Sequence, residues 1–380
     1  MTPSTDAMIP QPVCSTATKR SPQMSKPQSS NHKIAAVDLF CGAGGLTHGL
    51  VKAGISVVAG IDLDPACEFP FEANNKSKFI LRDVAEVTKA DLLNVYPKSA
   101  TRILVGCAPC QPFSRYSQAV VRTGDQKWAM LEQFARLITD IQPAVISMEN
   151  VPELARHDVF RNFVQRLKDC GYHVSSNNVF CPDYGVPQHR TRLVLFASLS
   201  GAVALIPPTH RPDNYRTVKQ AISKLSALSP GEIDAEDCLH RVSHLSDLNL
   251  RRIRASKQGG CWRDWPPQLV AKCHQKKSGE TFPSVYGRME WDSPAPTITT
   301  QFFGYGNGRF GHPEQDRAIS LREGAILQSF PRKYRFCRKS ADVSFATLGR
   351  LIGNAVPVRL GEIIGKTILH HIAESNGKKN

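Results

Sequence analysis

No stretch of this 380-residue chain approaches the roughly 20 uninterrupted apolar residues of a membrane-spanning helix. The first 32 residues contain no apolar segment of the kind that opens a secretory signal. The 11 cysteines are odd in number and scattered, so a disulfide framework is not expected and a reducing compartment is. No internal repeat is evident. Acidic residues are in deficit: 33 Asp and Glu against 48 Lys and Arg leave a net charge of +15. Such a surplus suits a polyanionic partner, although a basic protein with no nucleic-acid partner would show it too. What is present is an apolar fraction of 41%, enough for a sizeable core, and a length that suggests about two packed units.

Residues 1–33 are rich in Ser, Pro, Thr and Gln without apolar periodicity and read as a disordered tail. Order begins at Ile34. Apolar runs at 34–40, 57–61, 102–106, 144–148 and 192–198 read as buried strands. Helices are expected between them, one following a glycine-rich turn at 42–45, one carrying Trp128, Leu131, Phe134, Ile138 and Ile141, and one carrying Phe160, Phe163 and Leu167. This alternation predicts an α/β fold with a mostly parallel sheet covered on both faces. Regular patterning fades over 206–345, which is read as a second, smaller, irregular domain. Residues 346–380 return to a helical pattern.

Four segments carry candidate chemistry, each closing or entering a strand. Asp38-Leu39-Phe40-Cys41-Gly42-Ala43-Gly44-Gly45 leads a strand through glycines into a helix, where backbone can approach a cofactor closely. Asp62 ends the next strand, where a carboxylate can accept from ribose hydroxyls. Thr47 stands where a dinucleotide motif has its third glycine, and these residues alone do not separate NAD from S-adenosylmethionine. Gly106-Cys107-Ala108-Pro109-Cys110-Gln111-Pro112-Phe113-Ser114 offers a candidate nucleophile; its Cys-x-x-Cys spacing also fits a redox pair or half of a zinc site. Glu149-Asn150-Val151-Pro152 places a carboxyl at a strand terminus. In Gln188-His189-Arg190-Thr191-Arg192, period-two spacing sets Gln188, Arg190 and Arg192 on one face.

Taken together these segments resemble the DNA cytosine-5 methyltransferase family of bacterial modification enzymes. DLFCGAGGL is similar to its cofactor motif, GCAPCQPFS to its nucleophile motif, ENVPEL to its acid motif and QHRTR to its arginine motif. LREGAILQSFP (321–331) and GNAVPVRLGEIIG (353–365) resemble its last two motifs, all in family order over about 34–372. The resemblance implies a Rossmann-like S-adenosylmethionine-dependent catalytic domain over 34–205, a target-recognition domain over 206–345 and a C-terminal segment returning to the first. It implies Cys110 as nucleophile and Glu149, Arg190 and Arg192 as its catalytic partners. Phe40, Gly42, Gly44, Asp62, Leu63, Asp83, Val84, Pro109, Asn354 and Ala355 would hold the cofactor. Gln111, Ser114, Arg115 and Arg122, on a loop hinged near Gly124, would contact DNA, as would Arg288, Thr297, Ile298, Asn307 and Arg309. No metal is implied. Cys107 departs from the small residue or proline common in the family and has no implied role. The expected partner is duplex DNA, with a cognate restriction endonuclease as a functional companion. The expected state is a monomer in the bacterial cytoplasm, on the nucleoid, with no membrane association. Alternatives are a tRNA cytosine-5 methyltransferase, since relatives that modify tRNA share these motifs, although their recognition domains are reduced and the long segment 206–316 favours duplex DNA, and a non-catalytic DNA-binding protein.

Overall fold

The computed structural model describes residue 1, residues 33–109 and residues 129–377. Seven strands form one sheet: β1 (Ile34–Leu39), β2 (Ser56–Asp62), β3 (Lys78–Leu81), β4 (Thr101–Gly106), β5 (Val145–Asn150), β6 (His173–Phe180) and β7 (Thr191–Ser198). Their order is β3-β2-β1-β4-β5-β7-β6. The first five strands are mutually parallel, while β7 runs antiparallel to both β5 and β6. The near-continuous apolar strands at the centre are what a sheet buried on both faces requires. The strands missed from sequence are β3 and β6. The first is four residues long; the second is a polar edge strand with an exposed and intermediate face. Neither has the apolar run by which the central strands are legible.

Helices α1 (Gly45–Ala53), α2 (Glu68–Asn74), α3 (Lys89–Val95), α4 (Ala129–Ile141) and α5 (Asp158–Asp169) alternate with strands. Beyond the sheet follow α6 (Val218–Ile222), α7 (Asp247–Ala255), α8 (Leu321–Leu327), α9 (Phe345–Asn354) and α10 (Val358–Gly377). Leu92, Phe134, Ile138, Phe163 and Leu167 from α3, α4 and α5 cover one sheet face against Val37, Leu104 and Leu195. The other face is covered by α1 and α10, through Leu46, Leu50, Leu360, Ile364 and Ile368. Glycines let α1 and α10 approach closely: a Cβ on Gly49 would lie 2.4 Å from the Val358 carbonyl oxygen.

Residues 206–345 hold short helices and isolated bridges in place of regular elements. One apolar cluster joins Cys41, Ala43, Phe71 and Phe79 to Val218, Ile298, Phe302, Phe330, Tyr334 and Leu351, and so links this segment to the sheet. A separate small cluster gathers Ile253, Trp262, Trp265, Leu269, Val285 and Tyr305. Where repetitive backbone pairing is sparse, buried polar links supply geometry. Arg317 is fully buried, and its two terminal nitrogens donate to the two oxygens of Glu323 at 2.7 and 2.8 Å. Ser320 and Glu323 also form the capping box of α8. Burial alone would raise the Glu323 carboxyl, but the Arg317 bonds and charge outweigh it and hold it at about 2, below the ordinary 4.5.

Removing one partner of such a pair strands a buried charge. Arg317→Met is therefore expected to lower unfolding free energy by about 3–5 kcal/mol, and Arg317→Met with Glu323→Leu to recover much of that loss. Because Glu323 is depressed on folding, its contribution is complete above its unfolded value and is lost as pH falls from about 4.5 toward 2. Denaturant titrations of the three proteins across that range would show a shallower acid limb in the double variant than in the parent, the remainder coming from other depressed carboxylates such as Glu362.

Candidate active site

Strand register builds the site. Ile61 pairs with Leu39, Leu39 with Gly106, and Gly106 with Met148. These strands are parallel, so one step onward sets Asp62, Phe40, Cys107 and Glu149 in a single row at the carboxyl edge of the sheet. That edge is where open α/β sheets bind ligands. Four segments separated by as many as 109 positions thus converge without any contact being assumed.

The glycine turn is shaped for close approach. Phe40 and Gly42 both take left-handed backbone conformations, with φ of 58° and 53°. A Cβ built on Gly42 would meet nothing within 4 Å, so this glycine faces open space. Gly44 also has a left-handed backbone, with φ of 86°, but a Cβ there would lie 2.8 Å from Asn75 Nδ2 and 3.0 Å from the Tyr334 hydroxyl, so both backbone and packing call for glycine. Tyr334 donates to the Ala43 carbonyl at 2.6 Å, which ties the turn to the segment after α8. Asp62 Oδ2 accepts from the Gly42 amide at 2.8 Å and Oδ1 from the Asp64 amide at 3.0 Å. Both oxygens keep a further lone pair. Leu63, the next residue, is 64% exposed, unusual for a large apolar side chain. Asp83 caps a short turn by accepting from the Ala85 amide, whereas the Val84 side chain is buried in the core. Pro109 and Asn354 are exposed and Ala355 is half-buried. Beneath the turn, buried Asp38 accepts from the Thr47 hydroxyl at 2.7 Å, and its other oxygen has no hydrogen-bond partner. Burial raises that carboxyl to about 7 despite the Thr47 bond.

At the other end of the row Glu149 is buried, with Arg192 Nε 3.0 Å from Oε1. Cys107 Sγ donates to Oε2 at 2.8 Å, a contact that the sequence motif did not assign. Asn150 donates to the Ala108 carbonyl at 3.1 Å and so fixes the chain leading to Pro109; no role for it was read from sequence.

The three motif residues at 188–192 divide. Arg192 faces Glu149. Gln188 and Arg190 are buried and hold the neighbouring segments together. Arg190 donates to the Ile298 carbonyl at 3.0 Å and to the Gly353 carbonyl at 3.3 Å. Gln188 accepts from the Ile298 amide at 2.7 Å and donates to Gln328. A parallel bridge pairs Gln188 with Ala295, and exposed Thr297, two residues past Ala295, lies alongside the arginine motif and donates to the His189 carbonyl.

Cys110, Gln111, Ser114, Arg115, Arg122 and Gly124 lie outside the described residues, as do Trp128 and the tail except Met1 and Lys33. Among the remaining DNA-contact candidates, Asn307 is exposed and its side chain donates to the Gln301 carbonyl. Arg309 is half-buried and donates to the carbonyls of Gly259 and Gly260. Ile298 is fully buried. Arg288 is buried too, its donors taken up by the carbonyls of Ile253, Ser256, His312 and Gln315 and by Asp316. Arginines and aromatics interleave at Trp262, Arg263, Trp265, Tyr286 and Arg288, a pattern that would suit a DNA-reading surface, but they are in large part an internal cluster: Trp262 and Trp265 are buried, and Arg252 lies over the rings of Trp265 and Tyr286. Sequence spacing cannot separate an arginine that reaches outward from one that ties loops together. Lys272, Lys276 and Lys277 are exposed.

A cavity of about 620 Å³ lies apart from this row, lined by Lys52, His210, Arg216, Phe330, Arg359 and Glu362 among others. The row at the sheet edge carries the acid–arginine pair and the glycine turn, and the cavity does not.

Sheet and site together define the class: a methyltransferase fold with a glycine turn at the carboxyl edge of the sheet and a buried acid on the same row. The fold matches that of Schizosaccharomyces pombe Dnmt2 methyltransferase, with a TM-score of 0.58 and 19% identity over 89% of this chain and 99% of that one. A prophage-encoded E. coli protein described as a DNA modification methyltransferase superposes with a TM-score of 0.68 and 20% identity, covering 90% and 99%. The family profile for C-5 cytosine-specific DNA methylases matches residues 34–370. Type II methylase M.HgiDII of Herpetosiphon aurantiacus is 56% identical over 337 residues, 88% of this chain and 94% of that one. Type II methyltransferase M.Sau96I of Staphylococcus aureus is 30% identical over 353 residues, covering 91% and 78%. The chain belongs to the C-5 cytosine-specific DNA methylase family and is a DNA cytosine-5 methyltransferase.

Proposed function

We propose that this protein methylates C5 of a cytosine flipped out of a specific short duplex sequence, through a covalent adduct on Cys110, as the modification enzyme of a restriction system. The observation that carries this reading is the row of Asp62, Phe40, Cys107 and Glu149 at one sheet edge, with Arg192 on Glu149. The residues present fit S-adenosylmethionine. Gly42 leaves open space, the Asp62 carboxylate suits ribose hydroxyls, and exposed Leu63 suits an adenine face. Phe40, Asp83, Pro109, Asn354 and Ala355 complete the set, while Val84 and Gly44 support it from within the packing. When bound, S-adenosylmethionine supplies the methyl group that the activated C5 accepts.

The chain's own residues do the activating. Cytosine C5 is a poor nucleophile, and a covalent adduct splits the hard step in two. The Cys110 thiolate adds to C6, and electron density moves to C5 and N3. Protonated Glu149 hydrogen-bonds N3 and stabilises that charge, held in place by Arg192. Loss of the C5 proton and departure of Cys110 restore the ring. Reaching C6 requires extrusion of the base, at a cost of a few kcal/mol. Gln111, Ser114, Arg115 and Arg122 would contact the DNA around it.

Residues 206–345 serve as the target-recognition region, with Thr297, Asn307 and the exposed lysines toward DNA. Arg190 and Ile298 act as struts that hold this region on the sheet, Arg288 ties loops together within it, and Arg309 pins the loop at 259–260. The working state is a cytoplasmic monomer on the nucleoid. Transfer of labelled methyl to duplex DNA and not to tRNA supports this reading; transfer to tRNA alone would overturn it. The net charge of +15 sets a further expectation. Affinity for duplex DNA falls by roughly 10³-fold or more between 50 and 200 mM salt, as release of several counterions requires. Equilibrium binding across that range checks it, and a flat response would remove the phosphate contacts from the account.

A further inference from the structure

Cys107 touches the proposed acid yet has no part in the chemistry above. Register makes the two neighbours: Gly106 of β4 pairs with Met148 of β5, and each is followed by one of them. The Glu149 carboxylate is thereby flanked on both sides, by the Arg192 guanidinium in an ion pair with Nε 3.0 Å from Oε1 but without hydrogen-bond alignment, and by Cys107 Sγ, which donates to Oε2 at 2.8 Å. The two partners differ in kind. A guanidinium only donates; a thiol donates and, more weakly, accepts. A proton on Oε1 would face a donor. A proton on Oε2 faces a group that can turn to receive it. Burial and the adjacent Glu149 push the Cys107 thiol well above its ordinary range, so it stays a neutral S–H.

We propose that Cys107 is a positioning residue for Glu149, donating to the ionised carboxylate and turning its S–H to accept from the protonated acid, so that Glu149 keeps one orientation in both states. The inference rests on the reading of Glu149 as the acid that meets N3. Other groups act on this carboxylate and its thiol through charge: Arg192 and Arg190 from the motif that enters β7, Cys181 from the turn after β6, and Asp38 from β1. Cys107 and Arg192 are the two in direct contact with the carboxylate among the described residues.

The test is single-turnover methyl transfer as a function of pH for the full chain, Cys107→Ala, Cys107→Ser and Glu149→Gln, with S-adenosylmethionine affinity measured for each. Loss of a hydrogen bond to a charged group slows Cys107→Ala by roughly tenfold or more. Removing a donor to the carboxylate disfavours its ionised form, so the alkaline limb governed by Glu149 moves to higher pH in Cys107→Ala. Cys107→Ser restores both kinds of hydrogen bond, returning the rate toward the parent and the limb to the parent position or below. An alanine variant with the parent's rate and limb overturns the inference, as does a slower variant whose limb has not moved or one that serine does not rescue. A Glu149→Gln protein that keeps both rate and limb would instead refute the role of Glu149 itself.

Discussion

Cys110→Ser is expected to reduce methyl transfer by roughly 10³-fold or more, the scale of loss when a covalent-catalysis nucleophile is removed. A serine hydroxyl is a far weaker nucleophile than a thiolate, and without addition at C6 the ring gains no electron density at C5. Affinity for S-adenosylmethionine is expected to stay within a few-fold of the parent, because the residues proposed to hold the cofactor, Gly42, Asp62, Leu63 and Asn354, would do so independently of the thiol. Equilibrium binding of labelled cofactor and single-turnover transfer, measured on one preparation, check both halves. A duplex with 5-fluorocytosine at the target adds a second readout: fluorine cannot leave C5 as a proton does, so the parent accumulates a denaturation-resistant adduct and Cys110→Ser does not. An adduct mapped to Cys107 would reverse the assignment of the two thiols.

Glu149→Gln is expected to slow transfer by about 100- to 10,000-fold, the range for loss of a positioned acid. Glutamine keeps the length of the side chain and can still donate to N3, but it cannot take up or release a proton there. It also leaves the Arg192 guanidinium, only 13% exposed at the side chain, without its carboxylate partner. Base extrusion and DNA affinity change little if the defect lies in chemistry. A matched loss of DNA affinity would mean that Glu149 serves binding. Comparing DNA binding with single-turnover rate separates the two.

The central sheet was legible because β1, β2, β4, β5 and β7 are near-continuous apolar runs, and their ends carry the residues singled out by motif. That Glu149 and Arg192 share a site came from the motif resemblance, while the antiparallel pairing of β5 with β7 that brings them together did not show in the sequence. The Cys107 contact did not either, because it depends on the register between β4 and β5, and register is a property of pairing that no single strand states. Arg190 and Arg192 looked equivalent by spacing. Only the packing of Ile298 and Gly353 against one of them, and of Glu149 against the other, tells them apart. Arg288 and the tryptophans at 262 and 265 show the same limit. Interleaved arginines and aromatics form a reading surface in one fold and an internal cluster in another, and burial decides. Over 206–345 the geometry comes from single bridges and buried pairs such as Gln188–Ala295 and Arg317–Glu323, which leave no periodic trace in sequence.

The most direct test of the central claim is base-resolution conversion sequencing of unmethylated genomic duplex DNA incubated with the protein and S-adenosylmethionine. The expected result is 5-methylcytosine at one position of one recurrent short sequence, absent with Cys110→Ser. Unmodified cytosines throughout, from a protein that binds the cofactor and the DNA, would contradict it.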